Sequence, residues 1–257
     1  WIAQIVAAKG VITNSRSPLV NYRIYSGNTI GVPSVKRKIQ NIKRNRRMMT
    51  IQFNSFKTDI LNALGKLGAQ ILDLEKLAAH KGSVLGQLPN HPQPSQKRFE
   101  SLLHKELERL DPLHTIYVEA ESKKIGQIQV PETLLMIMRQ SPCLKIEATL
   151  EARIEFLQRD YRYMIEDQKQ LKQQLQFLKE IVGKETLESW NEFIEQGLWS
   201  QLVTELLEKH YDRLYKRSQH SNYAGYANST CYTTDDLSEA GIEQLAHQII
   251  DKEKRLA

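Results

Sequence analysis

Residues 68–86, GAQILDLEKLAAHKGSVLG, constrain the fold of this chain more than any other stretch. Residues 69–74 read as a short apolar strand ending in Asp73-Leu74-Glu75. A short helix follows, carrying His80, Lys81, Gly82 and Ser83. Carboxylates, a histidine and a Gly-Ser turn at the C-terminal end of a strand are where an α/β sheet gathers its chemistry. A solvated strand-end loop is the plain alternative. Just upstream, residues 48–53 are apolar and β-prone, and residues 57–67 place Ile60, Leu61, Leu64 and Leu67 on one helical face. Gly68 closes that helix. The order strand, helix, strand predicts a parallel βαβ unit.

The alternation continues downstream. Residues 81–96 are rich in Gly, Pro, Gln and Ser and read as a long loop, which in a compact domain is usually functional or mobile. Ser95 is placed to cap a helix running to about Leu110. Residues 115–120 read as a strand, Pro131 opens a helix, and residues 143–148 read as another strand. A parallel sheet with helices on its faces is the economical reading. After Leu150 the chain turns helical. Ile154, Leu157, Tyr161, Met164, Leu171, Leu175, Leu178 and Val182 follow alternating three- and four-residue steps, predicting one long amphipathic helix packed on a partner. Two further helices are expected over 185–196 and 198–216. Residues 217–234, rich in Ser, Asn, Tyr and Thr, read as a linker, and a last helix starts near Asp235.

Charge divides the chain unevenly. Residues 1–50 hold ten Lys and Arg and no acid, and the first carboxylate is Asp59. The net charge of +6 therefore sits on a basic arm ahead of a mildly acidic body. Such an arm either binds a polyanion, with RNA the obvious candidate, or is a solvated basic coil. No apolar run approaches the roughly 18 residues that cross a membrane, and no signal peptide is evident. The chain starts at Trp1 rather than Met, so an earlier N-terminus is expected. The two cysteines form neither a disulfide framework nor a metal cluster and fit a reducing cytoplasm. Cys143 follows Pro142 and opens an apolar run, as a buried structural thiol does; Cys231 has no evident role. No metal site is predicted.

A strand followed by a helix opening with Lys57-Thr58 invites comparison with a P-loop, Gly, four residues, then Gly-Lys-Ser/Thr. The window here is residues 51–58, IQFNSFKT. Lys57 and Thr58 fit, but Ile51 and Phe56 replace both glycines, whose freedom lets the backbone approach phosphate. What survives is a cation at a helix N-terminus, a generic anion site.

Four separated motifs carry a resemblance to a known family. They are residues 68–86, QPSQKRFES at 93–101, VEAESKKIG at 118–126 with Val130-Pro131, and HYDRLY at 210–215. In this order they resemble tRNA 2-selenouridine synthase over about residues 50–216, and faintly over 1–20. Members of that family carry an N-terminal rhodanese-like domain and a C-terminal P-loop domain. They act on wobble 2-thiouridine of tRNA, geranylating the sulfur from geranyl diphosphate and then replacing it with selenium from selenophosphate. The resemblance therefore implies tRNA as partner and those two compounds as co-substrates, with no permanently bound cofactor.

Residue by residue, the resemblance implies that Lys57 and Thr58 contact the diphosphate. Asp73, Glu75 and His80 would be catalytic. His80-Lys81-Gly82-Ser83 matches a His-Arg-Gly-Ser motif, with Lys81, Gly82 and Ser83 on phosphate; lysine keeps the charge but loses the bidentate fork. Gln93, Ser95, Gln96 and Lys97 would line the same mouth, with Glu119, Glu121, Ser122 and Gly126 forming a second strand-end loop. His210, Tyr211 and Asp212 match a motif that usually continues with Pro, where this chain has Arg213. After Pro18-Leu19-Val20 the family expects a Cys-bearing loop, and the chain reads Asn21-Tyr22-Arg23 instead.

The expectation is an α/β fold: a P-loop-like parallel sheet flanked by helices, then a helical C-terminal region. Its parts are a rhodanese remnant with basic linker over 1–47, a P-loop-like domain over 48–150 and the helical region over 151–257. Function is that of a tRNA 2-selenouridine synthase-like transferase, impaired by the missing thiolate and glycines. A non-catalytic tRNA-binding remnant and a small P-loop kinase are the alternatives, so whether the chain turns over stays open.

Overall fold

A computed structural model describes residues 39–40, 42, 48–52 and 56–256. Nearly all of the 1–47 segment, including the basic arm, and residues 53–55 of the phosphate-loop window lie outside the described residues. The core is a five-stranded, all-parallel sheet. Its strands are β1 (Met48–Gln52), β2 (Gln70–Leu72), β3 (Ile116–Glu119), β6 (Pro142–Ala148) and β7 (Gly225–Thr234), in the order β2-β3-β1-β6-β7. A small antiparallel hairpin, β4 (Lys124–Ile125) and β5 (Ile128–Gln129), stands beside it. The expected α/β fold with a parallel sheet is the observed one.

Alternation along β3 shows how the sheet is sandwiched. Ile116 and Val118 face one core and Tyr117 the other, because successive side chains of a strand point to opposite faces. On the first face lie α3 (Gln96–Arg109) and α4 (Glu132–Gln140), contributing Phe99, Leu103, Leu134 and Met138. On the second lie α1 (Lys57–Lys66), α5 (Leu150–Asp160) and α12 (Glu239–Leu256), contributing Ile60, Leu64, Phe156, Leu245 and Ile249. A third core is mainly helical, with Leu85 from a loop, and includes fully buried Trp190. It is built from α6 (Arg162–Glu166), α7 (Gln168–Leu175), α8 (Lys179–Val182), α9 (Lys184–Gln196) and α10 (Trp199–Leu206). Among the described residues no helix is long and apolar enough to cross a membrane.

The first βαβ unit is parallel as expected, with β3 inserted between β1 and β2. Two expectations are corrected. The stripe over 154–182 is not one helix: the chain breaks after Asp160 and at Asp167, whose side chain caps α7, and passes through a 3₁₀ turn at Gln176–Leu178. Those breaks fold the stripe back on itself into the third core. Residues 217–234 are not a linker. α11 (Asp212–Asn222) and β7 fill nearly all of them, and Tyr223, Tyr226 and Tyr232 are buried against the sheet.

Candidate functional site

The strand order reverses at β1, which has β3 on one side and β6 on the other. Ligands of open α/β sheets bind at such a switch point, beyond the carboxyl ends of the strands. Here β1 leads to α1, whose first residue is Lys57. β2 leads to Asp73 and the short helix α2 (Leu74–Ala78). β3 ends at Glu119, two residues before Glu121.

Those residues interlock. Asp73 caps α2, its Oδ1 accepting from the Lys76 amide at 2.8 Å. Glu119 Oε1 accepts from the Leu74 and Glu75 amides at 2.5 and 2.9 Å. Two carboxylates thus cap one short helix. Glu75, so held, places Oε1 at 3.2 Å from Lys57 Nζ and accepts from Thr58 Oγ1 on its other oxygen at 3.2 Å. Glu121 makes the second ion pair to Lys57. Lys57 is only 5% exposed, and Asp73, Glu75, Glu119 and Glu121 are all buried.

Four acids and one lysine in a buried cluster cannot all be ionised cheaply. Burial pushes the Asp73 carboxyl up to about 6 and Glu121 up to about 7, the latter against the pull of Lys57. Burial, with Asp73 and Glu75 beside it, drives Glu119 well above the usual carboxylate range. Burial works against the charge on Lys57 too, but Glu121 and Glu75 outweigh it and hold the ammonium well above its ordinary value.

Gly82 closes over this cluster. Its φ is +68°, a left-handed conformation that costs a residue with a Cβ about 1–2 kcal/mol. A Cβ there would collide with the Glu75 carboxylate and press on Glu121. Gly82→Ala is therefore expected to lower stability by about 2 kcal/mol or more, read as a drop in Tm. A fall no larger than that of an ordinary surface substitution would show that the loop simply swings away.

A cavity of about 340 Å³ opens beside the cluster. Polar side chains line part of it, among them Lys57, Thr58, Asp59, Glu75, Lys81, Gln158 and Asp160. Most of its surface is apolar, with Leu85, Met164, Leu171, Trp199, Leu202 and Leu206 in its wall. Ser83 and the ring of Tyr211 also line it, and burial pushes the Tyr211 phenol up, keeping it neutral. Lys81 is anchored at the rim: its Nζ lies 2.6 Å from Asp160 Oδ1 and 4.6 Å from the Tyr161 ring centroid. Burial lowers the basicity of His80, whose Nδ1 accepts from the Gly82 amide at 3.1 Å. His80 thus shapes the glycine turn as well as lining the cavity.

The remaining predicted residues support rather than line the cavity. Gln93 clamps the hairpin, donating to Ala78 and Ile125 carbonyls at 3.1 and 3.0 Å and accepting from the Gln127 amide. Gln96 makes a reciprocal pair with the backbone of Gln129. Ser95 caps α3 and Lys97 is exposed on it. Ser122 bonds within its own turn to Lys124, and Gly126 turns the hairpin with a positive φ. A π-helical turn at Leu207–Tyr211 brings Tyr211 to the cavity and leaves His210 buried elsewhere. Asp212 forms a bidentate pair with Arg153 at 2.5 and 3.0 Å, tying α11 to α5. Among the described residues no three His, Cys, Asp or Glu side chains are placed to share a metal ion. Cys143 is buried as expected, with Gln52 donating to its sulfur, and neither cysteine lines the cavity.

The apolar lining was missed as such in the sequence. Met164 and Leu171 stood in the helical stripe read as packing, and they do pack; the same face also leaves the cavity open.

Comparison with known proteins agrees with this architecture. The family model described as "tRNA 2-selenouridine synthase AAA domain" matches residues 53–237. An uncharacterized protein of Methanocaldococcus jannaschii is 31% identical over 170 residues, 63% of this chain and 74% of that protein. A tRNA 2-selenouridine synthase of Marinobacter nauticus is 43% identical over 94 residues, 35% of this chain and 25% of its own length. One of Bdellovibrio bacteriovorus is 38% identical over 111 residues, 42% of this chain and 28% of its own. The match to these two synthases thus spans about a quarter of their length. With most of its length, and the whole site from Lys57 to Tyr215, inside the matched span, the chain belongs to the tRNA 2-selenouridine synthase AAA-domain family.

Proposed function

We propose that this chain transfers a geranyl group from geranyl diphosphate to the sulfur of wobble 2-thiouridine in tRNA. The observation that carries this reading is the lining of the cavity, which sets Lys57, Thr58 and Lys81 beside a largely apolar wall. A diphosphate ester with a hydrocarbon tail calls for both kinds of lining. The volume of about 340 Å³ lies in the range of small-molecule sites, roughly 300–1,000 Å³.

In this reading the tail lies among Leu171, Leu202 and Leu206. The diphosphate meets the N-terminus of α1, where free amides and the helix dipole favour an anion. The sulfur lone pair attacks the allylic C1, and the C1–O bond breaks with its electrons going to diphosphate. The N3 proton of the thiouridine leaves, so the product is a neutral S-geranyl nucleoside. Lys57 stabilises the charge developing on the leaving oxygen. Selenophosphate is the co-substrate of the following selenium step in the same reading; the geometry here speaks to the geranyl step.

The test is incubation with 2-thiouridine tRNA and geranyl diphosphate, followed by mass spectrometry of the nucleosides. Wild type is expected to form geranylated thiouridine. Lys57→Ala removes the cation and is expected to abolish it. Leu202→Phe adds bulk to the apolar wall and leaves the charged residues in place, and is expected to reduce product at least tenfold. No product from wild type, with salt-sensitive tRNA binding retained, would favour the alternative of a non-catalytic tRNA-binding protein. The engagement of Lys57 by two carboxylates is the observation that favours that second reading.

A further inference from the structure

Lys57, a buried cation in the cavity lining, is already taken. Glu75 from α2 and Glu121 from the end of β3 hold its ammonium, and the Ala120 carbonyl lies 3.5 Å away. An anion cannot gain the full attraction of Lys57 while both carboxylates keep it. The two are not equally replaceable. Glu75 is fixed by the helix whose amide Glu119 holds and by Thr58. The Glu121 carboxylate meets Lys57 and the Glu75 carboxylate, lies with Glu75 under Gly82, and sits on the loop between β3 and the hairpin.

We infer that the Lys57–Glu121 pair gates the anion site: an anionic ligand reaches Lys57 by displacing the Glu121 carboxylate, which then carries a proton. This deepens the reading above and rests on anion binding at Lys57.

Among the described residues, the groups around Glu121 offer its charge no second cation. Facing it are Lys57 of α1, Glu75 of α2, the phenol of Tyr215 on α11, and Tyr223, whose hydroxyl donates to the Glu121 carbonyl at 2.8 Å. Glu119 stands on its own segment, beside Asp73. The only cation in that set is Lys57. Once an anion claims it, Glu121 is left buried beside another carboxylate and the anion itself. A proton is the cheapest remedy. The balance is simple: where Glu121 is ionised before binding, one proton passes from solvent to the carboxylate for each anion bound, and no covalent bond of the ligand changes. Glu121 is therefore a positioning residue, acting on the ligand through Lys57.

The experiment measures binding of inorganic diphosphate by calorimetry between pH 7 and 9, with wild type, Glu121→Gln and Glu121→Asp. The probe's own titration is common to all three proteins and cancels in the comparison. Relative to Glu121→Gln, wild-type affinity is expected to fall about tenfold per pH unit in the upper part of this range. Glu121→Asp, which still titrates, is expected to restore the slope. Wild type alone, measured in two buffers of different ionisation enthalpy, is expected to take up protons beyond those the probe accounts for. This second readout does not depend on any variant folding. Parallel slopes for wild type and Glu121→Gln, or no excess proton uptake, would overturn the gate while leaving geranyl transfer standing. No diphosphate binding by wild type would overturn the gate together with the anion site itself.

Discussion

Replacing Lys57 by methionine is expected to destabilise the fold by about 3–5 kcal/mol at pH 8 and by much less at pH 5. Methionine fills nearly the same volume, so packing is kept and charge alone is removed. Glu75 and Glu121 are then left buried without their counterion. Removing one partner of a buried pair costs more than the pair contributed, because the surviving charge has lost its solvation. The sign of the pH effect follows from Glu121. Its carboxyl is already raised to about 7 by burial, even with Lys57 beside it, and loss of the lysine raises it further. A carboxyl raised in the folded state binds more protons folded than unfolded, so the variant loses stability as pH climbs from its unfolded value through its folded one. At pH 5 a proton removes the stranded charge; at pH 8 taking that proton costs free energy. Lys57→Met combined with Glu121→Gln should recover much of the loss at pH 8. Urea unfolding of the three proteins at both pH values measures this. Equal losses at pH 5 and pH 8, with no recovery in the double variant, would mean that Lys57 acts through packing rather than charge.

Much of this site is legible in the chain because strand ends are legible. An apolar run that stops at Asp73-Leu74-Glu75 announces carboxylates at the edge of a sheet, and Lys57 after β1 announces a cation at a helix start. Their partnership is not legible. Glu121 lies 64 residues from Lys57, and only the insertion of β3 next to β1 brings them together. That insertion leaves no local trace, since period and propensity describe a strand and not its neighbour. β7 was hidden for a different reason. As an edge strand it buries few side chains, Tyr226 and Tyr232 among them, and is otherwise polar, so its composition is that of a linker. The helical stripe misled in the opposite direction. Its three-and-four spacing is right for burial, but Asp167 stops one helix and caps the next, and spacing alone does not register that break.

Glu119 is where the second large effect is expected, and the two substitutions at this position separate its roles. Glu119→Ala should cost about 3–5 kcal/mol. It removes the acceptor for the Leu74 and Glu75 amides, which are buried at the start of α2, and it opens a void in a fully buried place. With α2 unfastened, Glu75 loses its aim at Lys57 and Thr58. Glu119→Gln keeps an oxygen where the two amides donate and removes the ionisable proton. The charged form of Glu119 is disfavoured by burial and by Asp73, so its carboxyl is raised well above the usual range. Such a group lowers stability as pH rises past its unfolded value, and an amide does not. Gln should therefore be close to wild type at pH 4 and as stable or more stable at pH 8. The amide also supplies a donor near Asp73 Oδ2, which among the described residues has no hydrogen-bond partner. Thermal unfolding of both variants across this range decides the matter. If Gln proves as damaging as Ala at pH 8, the negative charge of Glu119 is itself required by α2, and helix capping by a neutral acceptor is not enough to hold the site.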